Sequence, residues 1–175
     1  MPEISSYAKL SLPARLAVAL HCFERYCRAK GLRHGLIDTF IERLWELPCA
    51  LRFADWEKPL PQLVHVAFEV GRGEAFPNEI LDLLASAGVL EKEFGQLLVS
   101  TVDIIYGSAY GASNDVGSLK SLELVLCVAT SVGVAPPPAQ PFLISLFGVR
   151  HGWGLVLDPN QRDIWRHRAY DGVEA

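Results

Sequence analysis

Apolar residues return at steps of three and four along most of the chain, the spacing of one face of an α-helix. Over residues 11–30, Leu12, Leu16, Leu20, Phe23 and Cys27 form one stripe and His21, Glu24, Arg25 and Arg28 the opposite one. Pro13 suits a first helical turn and Gly31 marks the end. Ala17, Val18 and Ala19 widen the apolar side, which places this helix deep in the core. Residues 34–47 repeat the pattern with Ile37, Phe40, Ile41 and Leu44 on one face, until Pro48 stops it. Residues 55–61 read as a cap or turn with Trp56 as an anchor. Residues 63–70 suit either a helix or a strand, and a short helix is the better fit. Pro77 opens another short helix, and 90–106 reads as a long one with Phe94, Leu97, Leu98, Thr101 and Ile105 aligned. Ser118 suits the cap of a helix through 131.

The C-terminal part is patterned differently. Pro136, Pro137, Pro138 and Pro141 predict a stiff, extended linker over 136–141. Beyond it, Phe142, Leu143, Ile144, Leu146 and Phe147 are too few to form a second core, so this segment is expected to pack back on the body. Asp158-Pro159 is a cap followed by a first turn, with Ile164 and Trp165 anchoring a last short helix. No repeat of 20–50 residues and no tight hairpin signal interrupts this series. The expectation is an all-α fold: one domain over 1–175, a bundle of six or seven helices with a back-packed C-terminal segment.

Composition narrows the function classes. Half of the 175 residues are hydrophobic and 21% are charged, which excludes a disordered chain. The formal net charge of −4, with Arg162, Arg166, His167 and Arg168 as the densest basic run, gives no phosphate-binding patch and argues against nucleic acid. No apolar stretch approaches the roughly 20 residues of a membrane span. No basic region followed by an apolar run opens the sequence, so a cytoplasmic protein is expected. Cys22 and Cys27, five apart, point about 140° away from each other on a helix. All four cysteines therefore read as small apolar residues with reduced thiols.

Catalytic and metal motifs are not matched. Residues 71–76 begin like a dinucleotide loop and lack its third glycine. Ser108 sits in the second, not the third, place between its glycines, unlike a nucleophile elbow. No glutamate has a histidine three residues on, and His-Glu-x-x-His does not occur, so no metal or cofactor is expected. Glu42 and Glu46 share a helical face and read as solvated or paired with a neighbouring arginine. Asp163 and His167 have the spacing of a base-orienting pair but lie on a polar segment.

Two segments are left over once core-building positions are removed. Residues 106–117 carry Tyr106 and Tyr110, three glycines, and then Ser113, Asn114 and Asp115, a composition suited to contact surfaces. Residues 150–154 place Trp153 between two glycines, either as an exposed anchor or as a plug dropped into the core, with His151 beside it. Together with His21-Cys22, the run Phe40 to Trp45 and the Tyr110-Gly111 pair, the Gly152-Trp153-Gly154 segment resembles a group of small, uncharacterised helical bacterial proteins, some of which act as immunity proteins. That resemblance implies a non-enzymatic role in binding a protein partner such as a toxin domain. An acidic surface would steer association with a basic one. The expected binding residues are Tyr106, Tyr110, Ser113, Asn114, Asp115, His151 and Trp153. Two alternatives are a ligand or catalytic site assembled from Asp103, Tyr106, Asp115 and His151, and a structural subunit of a homo-oligomer.

Overall fold

The computed structural model describes residues 4–109 and 115–170. It is an all-α bundle with no strand among the described residues. The helices are α1 (Leu12–Ala29), α2 (Gly35–Glu46), α3 (Phe53–Trp56), α4 (Gln62–Gly71), α5 (Asn78–Ser86), α6 (Glu91–Tyr106), α7 (Asp115–Ser131) and α8 (Pro159–Arg168). Among the described residues there are eight α-helices rather than six or seven, because the turn around Trp56 closes into the four-residue α3. The segment at 63–70 is helical. No helix among the described residues is long and apolar enough to cross a membrane.

Helix α1 is the axis. It packs against α6, α7, α2 and α8, and every residue from Leu12 to Phe23 is buried. Ser11 caps it by accepting the amide of Ala14 (3.3 Å), and Gly31, at φ 69°, reverses the chain so that the Leu32 amide reaches the Cys27 carbonyl (2.8 Å). Being surrounded overturns the two-faced reading only over the first part of α1: His21, placed by periodicity on the polar stripe, is buried, as is Arg15, whereas Arg25 and Arg28 of that stripe are exposed. A two-stripe pattern assumes that one face meets water. Here the second face is covered by α8 and by the chain that leads to it. Buried apolar side chains from Tyr7 to Ala169 form a single cluster. Within it Phe23 packs on Phe40 and Phe94 with ring centroids 5.2 and 6.0 Å away.

Two further boundaries differ from the sequence reading. Helix α7 begins at Asp115, so Ser118 lies inside it and is buried instead of capping it. The proline-rich stretch is irregular through Pro138 and then closes into a 3-10 turn at Gln140–Phe142, so it is neither extended over 136–141 nor a free linker. Pro137 is buried and its carbonyl accepts the Tyr7 hydroxyl at 2.7 Å. The chain then docks beside the start of α1. The Ser11 amide donates to the Ser145 carbonyl (3.0 Å) and the Phe147 amide to the Lys9 carbonyl (2.9 Å). Phe142 enters the core, whereas Ile144 and Leu146 stay exposed, so the back-packing holds for only part of the apolar run. A capping box at Asp158 and Gln161 opens α8.

Candidate functional site

Phe53, the first residue of α3, gathers aromatic side chains from two other parts of the chain and from its own helix. Its ring centroid lies 5.1 Å from Tyr106 at the end of α6, 5.5 Å from Trp153, and 5.6 Å from Trp56. Tyr106 also packs edge-on against Phe68 of α4 at 5.0 Å. Above this cluster opens a cleft of about 210 Å³, whose lining includes Leu51, Phe53, Ala109, Arg150, Trp153 and Leu155. The two segments left over from core-building therefore meet, Ala109 from one side and Trp153 from the other.

The wall from residue 149 to 157 is held from below. Leu155 donates its amide to Ser145 Oγ (2.9 Å), which in turn shares a hydrogen bond with Ser11 Oγ (2.8 Å). Leu157 donates to the Pro48 carbonyl at 2.9 Å. Gly154, at φ 66°, passes so close to Ser11 and Ser145 that any Cβ there would overlap both side chains. Just ahead of these fixed points Arg150 and His151 both adopt left-handed backbone, at φ 50° and 53°, which costs an L-residue roughly 1–2 kcal/mol each. Arg150 is kept in place by donating to the Leu51 carbonyl at 2.8 Å. Such strain concentrates where a side chain must be presented in one direction.

The rim mixes apolar and cationic groups. Leu51 is 70% exposed and Leu155 is 45% exposed. Arg52 and Arg150 are both exposed, and Arg52 reaches Asp55 only at 4.0 Å. The rim thus offers guanidinium donors next to bare aliphatic surface.

Of the residues expected from sequence, Tyr106, Trp153 and His151 belong to this neighbourhood. Trp153 is neither plug nor free anchor: it is half-buried, with one side on Phe53. The Asp115 carboxylate is paired at 2.5 Å with the buried Arg15 guanidinium. Asp103 is on the exposed side of α6, where partial desolvation raises its carboxyl above the ordinary value. Tyr110, Ser113 and Asn114 lie outside the described residues. Periodicity missed Leu51, Arg52 and Phe53, because 49–53 carries no regular pattern. Pro48 and the Phe53–Trp56 spacing were the only signals of a structured turn there.

Two buried polar centres were also missed. The Arg15 guanidinium donates to the Asp115 carboxylate and Ser118 hydroxyl (2.5 Å each), to the Ala8 carbonyl (2.6 Å) and to the Asp115 carbonyl (3.1 Å), and it stacks 4.8 Å from the Phe147 ring. Burial lowers its pKa, and Asp115 opposes that shift. An arginine within an otherwise apolar stretch was the available signal. His21 sits among Trp45, Phe142 and Tyr170, with Nε2 2.8 Å from the Trp165 carbonyl. Burial pushes its pKa down to about 4, so the neutral ring donates from Nε2. Cys22 and Cys27 are buried, which raises both thiols, Cys22 to about 12. Both therefore serve as core residues. Glu42 pairs with Arg166, Glu46 with Arg43, and Asp163 with Arg162. No cluster of three or more metal-ligating side chains occurs among the described residues.

Compared with known proteins, the chain matches no family model, no curated protein and no solved structure.

Proposed function

We propose that the protein is a non-enzymatic protein-binding module and that the cleft over Phe53 is its contact site. The observation that carries this reading is the combination of a small cavity with a bare apolar rim. A volume of about 210 Å³ is below the roughly 300–1,000 Å³ of ordinary small-molecule sites. It suits one inserted side chain of a partner, and Leu51 and Leu155 supply flanking surface that a small ligand would leave wet. Aromatic and arginine residues at the centre of a contact carry most of its energy in protein interfaces. Arg52 and Arg150 favour a partner segment with a carboxylate near its inserted side chain. In its narrower form, drawn from the resemblance to immunity-type proteins, the partner is a bacterial toxin domain that binding blocks.

The test is site-specific photocrosslinking in the native host. A photoreactive side chain at Leu51 or Leu155 is expected to trap one protein adduct that the same group at Lys120, on the exposed side of α7, does not trap. Identical adduct patterns from all three positions would refute the site. If the trapped protein is a toxin, its activity is expected to fall on mixing with the wild-type chain and to persist with Trp153→Ala.

A further inference from the structure

A second surface, remote in sequence from the cleft, has the opposite charge. It is a groove of about 500 Å³ between the end of α4 and the N-terminal half of α6. Its floor is made by Val70, Phe76 and Val99, and its rim by Glu74, Glu91, Lys92 and Gln96. Gly95 explains why the groove exists. Glycine within a helix costs about 1 kcal/mol relative to alanine, yet here a Cβ would lie 3.2 Å from Val70 Cγ1 and 3.6 Å from the Phe76 ring. The missing side chain lets Val70 and Phe76 close against α6 and leaves an apolar trough above them.

The stretch from Glu69 to Glu93 holds six acidic and two basic residues, while the rest of the chain balances fourteen against fourteen. Of these, Glu74, Glu91 and Lys92 line the groove. Glu74 and Glu91 are exposed and make no ion pair or side-chain hydrogen bond among the described residues. Apolar floor and unpaired carboxylates together specify the occupant. From Glu91 to Val99 the wall runs about 12 Å at 1.5 Å per residue, room for two turns of a helix.

We propose that this groove receives a basic amphipathic helix of a partner protein, with aliphatic anchors on the floor and lysine or arginine beside Glu74 and Glu91. Helices held in grooves commonly use anchors at i, i+3, i+4 and i+7. Recognition here is independent of the Phe53 cleft, so either surface can fail without the other.

The test uses the full chain and three labelled 15-residue peptides, read by fluorescence anisotropy at low and high salt. One peptide has leucines at helical spacing with lysines elsewhere. The second has the same leucines with glutamates. The third has the leucine and lysine composition scrambled. The first is expected to bind saturably, at least tenfold more tightly than the other two, and more weakly at high salt. Ala75→Trp covers the trough from an exposed position, so folding is not at stake, and is expected to reduce binding at least tenfold. The double charge reversal Glu74→Lys with Glu91→Lys is expected to do the same, and Leu51→Ala to change nothing. Equal binding of the scrambled peptide, indifference to Ala75→Trp, or no saturable binding would each overturn the proposal. So would self-association of the protein alone that Ala75→Trp abolishes, because the occupant would then be a second copy.

Discussion

Acidification from pH 8 to pH 4 is expected to destabilise this protein through His21 in a way that one substitution can isolate. The imidazole donates to the Trp165 carbonyl at 2.8 Å and is packed edge-on by Trp45 and Tyr170 at 5.3 and 5.4 Å. Burial lowers its pKa from 6.5 to about 4, the backbone hydrogen bond opposes that shift, and Arg25, His167 and Arg166 add to it. The folded state thus binds its proton later than the unfolded state does. The stability due to the neutral ring is complete above the unfolded pKa and is lost as pH falls through the folded one. At about 1.4 kcal/mol per pKa unit, the loss is roughly 2 kcal/mol at pH 5 and about 3 kcal/mol at pH 4. Twenty acidic side chains also titrate in this range, so the readout is a difference. Urea unfolding of the wild type and of His21→Gln, which keeps a donor and does not titrate, is followed from pH 8 to pH 4. The wild type is expected to be more stable at pH 8, and its advantage should shrink by about 2 kcal/mol by pH 5. A constant gap across that range, or an NMR titration placing His21 near 6.5, would refute the reasoning.

Other perturbations follow from the same geometry. Arg15→Ala leaves the Ser118 hydroxyl and the Ala8 carbonyl without their donor and opens a void in the core. A loss of about 3–5 kcal/mol is expected in chemical denaturation, and Arg15→Met, which refills the volume, should lose clearly less. Gly154→Ala combines left-handed backbone with overlap against Ser11 and Ser145 and is expected to cost about 2–4 kcal/mol. Gly133→Ala, at φ 81° with open space around the added carbon, should cost only about 1 kcal/mol. Equal melting temperatures for these two variants would contradict the close approach at Gly154. A thiol reagent added to the folded protein at pH 8 should leave Cys22 and Cys27 unmodified until denaturant is added, as mass spectrometry of the adducts would show.

Helix positions were legible because each depends on neighbours three or four residues away. Pro13, Gly31 and the Asp158–Gln161 box punctuate α1 and α8 as local rules require, and the long run ending at Tyr106 needed nothing from elsewhere in the chain. The site was half legible. Tyr106 and Trp153 stood out because their positions served no periodic core. Phe53 did not, since what makes it central is where Tyr106 and Trp153 arrive, and that is set by Ser145 and Leu157 docking on Ser11 and Pro48.

The amino-acid sequence by itself determined the all-α class, the order of the helices and most of their ends, because backbone hydrogen bonding and side-chain periodicity act over one or two turns. It also determined the uneven charge, with the net negative balance carried between Glu69 and Glu93. Only the tertiary structure decided which polar residues leave water. Arg15 and His21 are buried because the opposite side of α1 is covered by segments more than 90 residues away, and no local pattern encodes a distant neighbour. The same folding paired Asp115 with Arg15, joined the two leftover loops over Phe53, and left the groove at Gly95 open.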